Sequence, residues 1–258
     1  LCRDWSSDVC SSDLWLRPSP SGTAGGAEHA IDRIFFVEDD LDGYTRTEKT
    51  RVRRMGERGH YDRETVHGIL DAGFICNVGY VIDDQPYVTP TSYWREGERL
   101  YWHGSSASRM LRTVAKGIKA CLTVTHVDGL VLARSAFHHS INYRSVMAFG
   151  VAELVSDETH KMAALKDFVE LLFPGRWGTL RPVTAQEFKA TTVLSMPLDE
   201  VSAKVRVGPP KDDDEDYALP IWAGVLPLMT TPGDAVPDPK NLAGVALPEH
   251  VRRFALER

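Results

Sequence analysis

The chain has 258 residues, with 30 basic and 36 acidic side chains and a formal net charge of −6. Residues 1–44 hold 3 of the basic and 9 of the acidic side chains, so the rest of the chain carries 27 of each and is formally neutral. A neutral domain has no general attraction for nucleic acid or for an anionic membrane. No apolar run is long enough to cross a bilayer. The composition therefore predicts neither nucleic acid nor membrane as a partner, and a local site must hold any anionic ligand.

The chain divides by composition into a leader, one domain and a tail. Residues 1–14 read as a translated sequencing adapter and lack the basic and apolar regions of a signal peptide. We expect residues 1–44 to be a non-native or disordered leader, residues 45–230 to form one domain, and residues 231–258 to be a surface tail. Cys76 and Cys121 lack metal-type spacing and are predicted to be reduced, buried residues of a cytoplasmic protein.

The first predicted elements are a helix and three strands. The helix begins after Asp62, a good N-cap, and ends at Gly73. Short turns at residues 83–84 and 96–97 separate the strands, which indicates antiparallel hairpins. The predicted strands span residues 74–82, 85–94 and 99–103.

The second half of the domain repeats this mixture of strands and helices. Asp128 and Gly129 are typical of a hairpin turn. Many short strands with few helices predict a mainly β (α+β) fold, namely a closed antiparallel barrel with peripheral helices; an open α+β sheet is the alternative. One predicted helix follows Ser108, and two more span residues 157–173 and 184–188. The predicted strands span residues 119–127, 130–134, 142–155, 191–197 and 201–207.

A serine-rich segment follows the third strand and precedes a helix. Gly104 is followed by Ser105, Ser106, Ser108 and Arg109. Hydroxyls, backbone N–H groups and a fixed positive charge at a helix start suit a phosphate. The alternative is an ordinary serine-capped helix after a turn.

A second polar segment begins the long strand at residue 142. Alternation along a strand puts Tyr143 and Ser145 on one face and Arg144 on the other. Arginine is the preferred residue for bidentate phosphate contact. This segment and the serine-rich loop are predicted to form one phosphate cradle; the alternative is an edge strand with ordinary polar residues.

The order of these segments resembles a known family. The run Y-R-S-V-M-A-F-G at residues 143–150, after P-T-S-Y at residues 90–93 and the serine loop, is similar to the FMN-binding split-barrel superfamily. Within it, the chain resembles pyridoxamine 5′-phosphate oxidase-related flavin-nucleotide-binding proteins and the Nim nitroimidazole-resistance proteins. The resemblance implies an antiparallel split β-barrel and a homodimer with FMN at the subunit interface. The residues it implies for cofactor binding are Asn77, Thr91, Ser92, Tyr93, Ser105, Ser106, Ser108, Arg109, Tyr143, Arg144 and Ser145.

The resemblance also bears on function. It implies an FMN-dependent oxidoreductase acting on a small organic substrate, with no side chain identified as a general base. The arginine-rich end of true pyridoxamine phosphate oxidases is not matched, which points to another substrate. Two alternatives stay open: a flavin carrier without turnover, and a haem-binding split barrel. The neighbouring His138 and His139 diverge along the chain, so no metal site is predicted. By the same resemblance, the candidate pocket residues are His103, Lys204, Arg206 and Trp222, the last three reaching the flavin from the partner subunit. The alternatives are a half-buried strand position for His103, and packing or surface charge for the other three.

Overall fold

A computed structural model of the chain describes residues 43–254. The predicted leader up to residue 42 and residues 255–258 lie outside this part. The strands are β1 (Gly59–His60), β2 (Ile75–Ile82), β3 (Gln85–Glu96), β4 (Arg99–Ser105), β5 (Lys119–Leu132), β6 (Ser140–Val151), β7 (Glu153–Leu154), β8 (Thr191–Pro197), β9 (Glu200–Arg206) and β10 (Gly224–Pro227). The helices are α1 (Arg63–Asp71), α2 (Arg109–Val114), α3 (Glu158–Leu172), α4 (Ala185–Ala190) and α5 (Glu249–Arg252).

The strands form an antiparallel split barrel with helices around it, as predicted. Their order is β1-β9-β6-β5-β2-β3-β4-β8-β7, and β10 pairs with β5. Only Ala152 separates β6 from β7 along the chain. Because β6 lies near one end of the strand order and β7 at the other end, this short connection brings the two ends of the sheet together. Strand β3 belongs to both halves, because residues 85–92 pair with β2 and residues 93–96 pair with β4.

Local side-chain hydrogen bonds explain where the main helices begin. The Asp62 carboxylate accepts the N–H of Thr65 at 2.7 Å, at the start of α1. Asp157 accepts the N–H of His160 at 2.7 Å, at the start of α3. Each bond satisfies a backbone donor that has no partner within its helix, so these caps fix the boundaries as the sequence predicted. No helix in the described part of the chain is long and apolar enough to span a membrane.

The predicted hairpin turn at Asp128 and Gly129 is wrong. Strand β5 runs through both residues, and its pairing with β6 shifts register between Val127 and Gly129. Asp128 is therefore the extra residue of a β-bulge. An Asp-Gly pair suits a bulge as well as a turn, and the continuous partner strand β6 decides between them.

The core begins earlier in the chain than the predicted domain boundary. Tyr44, which the sequence analysis placed in the leader, is only 7% exposed. Its hydroxyl lies 2.8 Å from His67 Nε2 and donates to Glu98 at 2.8 Å. These contacts fasten residue 44 to α1 and to the turn after β3, so Tyr44 belongs to the domain.

Five strands present one outer sheet face to solvent. In β2 the side chains alternate strictly, with Cys76 and Val78 in the core and Ile75 and Asn77 outside. Paired residues on neighbouring strands point to the same side. The register therefore extends this outer sheet face across β3, β2, β5, β6 and β9. Its residues include Pro90, Asn77, Thr123, Met147 and Ser202 in one row, and Ser92, Ile75, Thr125, Ser145 and Lys204 in the next.

Candidate functional site

The loop between β4 and α2 presents hydroxyl groups and a guanidinium. Ser105, Ser106 and Arg109 are exposed, while Ser108 caps α2 by accepting the N–H of Leu111 at 3.5 Å. The sequence also predicts phosphate contacts from backbone N–H groups of this segment, and several N–H groups before the helix are already engaged. Three of them bond within the protein: those of Ser106, Ala107 and Ser108 donate to Ala190 O, Ser105 Oγ and Ser105 O. The ligand donors of this loop are therefore mainly side chains.

Arg109 is the main charge of this loop. Its guanidinium lies over the ring of Tyr87, 4.5 Å from the ring centroid. No carboxylate of the described residues forms an ion pair with it. Arg112 holds the loop in shape by donating from Nε to the carbonyl of Ser106 at 2.9 Å. A guanidinium with five N–H donors and no carboxylate partner is suited to bind phosphate.

The second predicted segment is already engaged within the protomer. Arg144 forms a bidentate pair with Asp128, at 3.0 Å from Nε and 2.8 Å from the terminal nitrogen. The hydrogen bond to Asp128 raises the pKa of Arg144 above its usual range. The Ser145 hydroxyl donates to the carbonyl of Lys204 at 3.2 Å, and Tyr143 is half-buried. Within one protomer the Arg144 guanidinium is therefore engaged by Asp128, and its contact with a flavin phosphate stays a prediction.

The two segments do not meet within one protomer, contrary to the single cradle expected from the sequence. Arg109 rests on Tyr87 in β3, and β2 and β5 lie between β3 and β6. Arg109 and Ser145 are therefore on the order of 20 Å apart along the sheet, because three strand spacings and an offset of about five residues lie between them. The sequence order suggested proximity, but the order of the strands in the sheet prevents it.

Four residues of β2 and β3 were expected to line a flavin ring, and the structure divides them into two pairs. Asn77 and Ser92 lie on the outer sheet face, where Asn77 is exposed. Thr91 pairs with the buried Cys76 and therefore points inward. Tyr93 is fully buried, and its hydroxyl donates to the carbonyl of Leu70. Alternation along β3 turns Thr91 and Tyr93 into the barrel, and their contacts with a flavin ring stay a prediction.

His103 packs beneath α3. Its ring lies 4.8 Å from that of Phe168 and 5.8 Å from that of Trp94, measured between centroids. Nδ1 is buried without a hydrogen-bond partner, and burial lowers the pKa of His103 from its ordinary value of 6.5. Within one protomer His103 therefore occupies a half-buried strand position.

The lowered pKa of His103 predicts a loss of stability in acid. Below pH 6.5 the unfolded chain binds a proton at His103 before the folded protein does, so the free energy of unfolding falls as the pH decreases. His67, whose pKa burial also lowers, adds to this dependence. Urea unfolding between pH 5 and 8 is expected to show a shallower acid decline for His103→Phe than for the wild type. If the free energy of unfolding declines equally steeply in acid for both proteins, the acid dependence does not come from His103.

The remaining pocket candidates lie on or near the outer sheet face. Lys204 is half-buried and paired with Ser145 in the register. Arg206 is 8% exposed and donates to the side chain of Asn142. Trp222 is 70% exposed and covers Gly224, where an added Cβ would lie 2.9 Å from the indole ring. Trp222 can therefore contact a second molecule, whereas Arg206 is enclosed.

A cleft that the sequence analysis missed lies between β5, β6 and the C-terminal segment. Its volume is about 880 Å³. Asp128 and Arg144 line it, whereas residues 105–109 do not. The cleft escaped sequence analysis because its walls come from segments far apart in the chain, namely residues 72–75, 125–128, 144, 228–232 and 254.

A group of metal-ligand side chains also escaped the sequence analysis. His138, Asp213 and Asp216 place their ligand atoms within 4.8 Å of one another. The two aspartates belong to an acidic run at residues 212–216. The Asp212 carboxylate of that run is buried and binds Arg134 at 2.9 Å. The run is therefore attached to the domain through Asp212.

The barrel, the loop at residues 105–109 and the outer sheet face agree with a comparison to known families. The model of the pyridoxamine 5′-phosphate oxidase family matches residues 62–205. The chain belongs to this family. The match covers β2 to β8, most of β9, and both polar segments predicted from the sequence. The pyridoxamine 5′-phosphate oxidase-like character inferred from the Y-R-S-V-M-A-F-G run is thereby confirmed.

Two solved structures of this family are similar over most of the chain. The flavocytochrome Anf3 from Azotobacter vinelandii is 50% identical, with 81% of this chain and 97% of that chain covered and a TM-score of 0.78. An FAD and haem binding protein from Mycobacterium smegmatis is 36% identical, with 78% of this chain and 100% of that chain covered and a TM-score of 0.75. The search of curated proteins gives no match.

Proposed function

We propose that this member of the pyridoxamine 5′-phosphate oxidase family is a flavin-dependent oxidoreductase that holds FMN in a cytoplasmic homodimer. The loop at residues 105–109 carries the proposal. It joins exposed hydroxyls to the Arg109 guanidinium, which has no carboxylate partner among the described residues. This donor set fits the phosphate of a flavin nucleotide. The names of two relatives, a flavocytochrome and an FAD and haem binding protein, support flavin as the cofactor.

The protein's own groups would bind and orient the flavin. Ser105, Ser106 and Arg109 would hold the phosphate, and Asn77 and Ser92 are available on the outer sheet face for polar contacts to the ring edge. The flavin would supply hydride or electron transfer to a small organic substrate. The apolar side chains of the same face would exclude water from the reacting ring.

A two-fold dimer reconciles the two separated segments. Across an isologous interface, each surface patch meets the same patch of the partner, so Tyr143 and Ser145 of one protomer can approach the loop at residues 105–109 of the other. The outer sheet face has the apolar character of such an interface. Ile75 and Val81 are each 52% exposed, and Val88 is 69% exposed.

The flavin proposal is tested by the visible spectrum of the purified full chain. We expect flavin absorption bands, and chromatography of the nucleotide released by heat distinguishes FMN from FAD. If the protein is colourless and gains no flavin bands with either nucleotide, the proposal is wrong. Release of FAD alone would retain the flavin site and overturn the choice of FMN.

Enzyme and carrier are distinguished by stopped-flow reduction. An oxidoreductase is expected to accept electrons from NADH, NADPH or dithionite and to pass them to an added acceptor over many turnovers. A carrier releases its flavin instead, without turnover. Repeated reoxidation with retention of the nucleotide supports the enzyme, and release of reduced flavin supports the carrier.

Haem is a second candidate ligand, favoured by the two relatives and by His139. Nδ1 of the exposed His139 donates to the carbonyl of Ser135 at 2.9 Å. This bond leaves Nε2 with its lone pair, which is the arrangement of a metal-ligating histidine. Titration with haemin is expected to give a Soret band that His139→Ala shifts or abolishes. His160→Ala, whose ring contacts Tyr101, is the control.

A further inference from the structure

The C-terminal arm, residues 228–247, is anchored at both ends; residues 228–232 wall the cleft described above, and residues 233–247 are exposed beyond it. It begins where the N–H of Leu228 bonds to the carbonyl of Asp128 at 3.0 Å. It ends at α5, after which Phe254 packs on Phe173 with ring centroids 5.1 Å apart. Every residue of the arm is classed as exposed. Between these two attachments, 20 consecutive residues bury little of their surface against their own protomer.

The arm carries the apolar side chains of a contact surface. Val236 is 91% exposed, Met229 82% and Leu242 80%. Exposed apolar residues in isolation are common, but a run of them on one segment marks an interaction site. Twenty residues are also about the number that one side of a standard protein interface contains.

The length and composition of the arm allow it to reach a neighbour. Prolines at positions 232, 237 and 239 favour an extended backbone of about 3.1 Å per residue. A loop of this length, fixed at both ends, can reach at most about 30 Å from its anchors, which exceeds the radius of gyration of about 16 Å expected for a domain of this size.

The position of the arm identifies the partner as a second copy of the chain. The arm leaves the barrel at Asp128 in β5, and β5 is the central strand of the outer sheet face. The apolar face and the apolar arm are thus adjacent in each protomer. A two-fold axis beside them would bury each arm on the partner and bury both faces together.

We propose that the C-terminal arm of each protomer packs on the partner protomer and locks the dimer. This proposal rests on the proposed homodimer and extends it, because it assigns the dimer contact to residues 228–247, of which only 228–230 belong to the predicted domain. The family model ends at residue 205, so the arm lies in the part of the chain that this model does not cover.

The first experiment measures the dimer dissociation constant by sedimentation and light scattering over a dilution series. The double substitution Val236→Asp and Leu242→Asp is expected to raise the constant at least tenfold. Both side chains are almost fully exposed in one protomer, so the fold of the protomer should be unchanged by circular dichroism. Leu180→Asp, at a leucine that is 43% exposed outside the arm, is the matched control and should leave the constant unchanged.

The second experiment uses trypsin, because Lys240 is the one lysine or arginine of the arm. The wild-type dimer is expected to resist cleavage after Lys240, and the double variant to be cut at least tenfold faster. Equal dissociation constants and equal cleavage rates would overturn the role of the arm and leave the dimer standing. A wild-type chain that binds flavin as a monomer would overturn both the dimer and the arm but not the flavin site.

Discussion

Replacing Arg109 with alanine is expected to weaken flavin binding by about 1.5–3 kcal/mol, which corresponds to roughly 10- to 150-fold in dissociation constant. The guanidinium has no carboxylate partner among the described residues, so its N–H donors are available to a phosphate. A hydrogen bond to a charged group contributes about twice as much as a neutral one. Isothermal titration of the apoprotein with FMN measures the change.

Two further substitutions define what Arg109 contributes. Arg109→Lys keeps the charge but loses the planar guanidinium, so the affinity of this variant for FMN should lie between the affinities of the wild type and of the alanine variant. Arg181→Ala removes an exposed arginine that pairs with Glu187, and flavin affinity should not change. If Arg109→Ala binds FMN as tightly as the wild type, the phosphate is not held by this loop.

The elements of the barrel were predictable where local chemistry decides them. The hairpin from β2 to β3 and the caps at Asp62 and Asp157 follow from residues within a few positions of one another. The bulge at Asp128 was not predictable, because the same two residues suit a turn. The partner strand that prevents a turn begins only at Ser140.

The candidate site was predictable in its chemistry but not in its assembly. Residues 105–109 form the exposed loop that the sequence indicated. The pairing of Arg144 with Asp128 depends on register between two strands, and the burial of Tyr93 depends on the point where β3 changes from β2 to β4. A single sequence contains neither the register nor the order of strands, so it could not show that the two segments are separated.

Replacing Trp94 with alanine is expected to lower the free energy of unfolding by about 3–5 kcal/mol. Trp94 is 2% exposed and connects the sheet to α3, with ring centroids 5.5 Å from Tyr101 and 5.1 Å from Phe168. Loss of the indole removes a large buried apolar area and leaves a cavity at this contact. Urea unfolding followed by circular dichroism measures the change.

Two control variants, Trp94→Phe and Trp222→Ala, show whether the loss of stability comes from lost packing at Trp94 or from the removal of any tryptophan. The Trp94 Nε1 group is buried without a hydrogen-bond partner, so phenylalanine removes an unsatisfied donor and should cost less than alanine. Trp222 is 70% exposed, and its replacement by alanine should change the free energy of unfolding by no more than about 0.5 kcal/mol at matched oligomeric state. If the two alanine variants lose equal stability, the contact between the sheet and α3 does not depend on Trp94. A large loss for Trp94→Ala together with unchanged flavin affinity would show that the contact between the sheet and α3 supports the barrel without taking part in the flavin site.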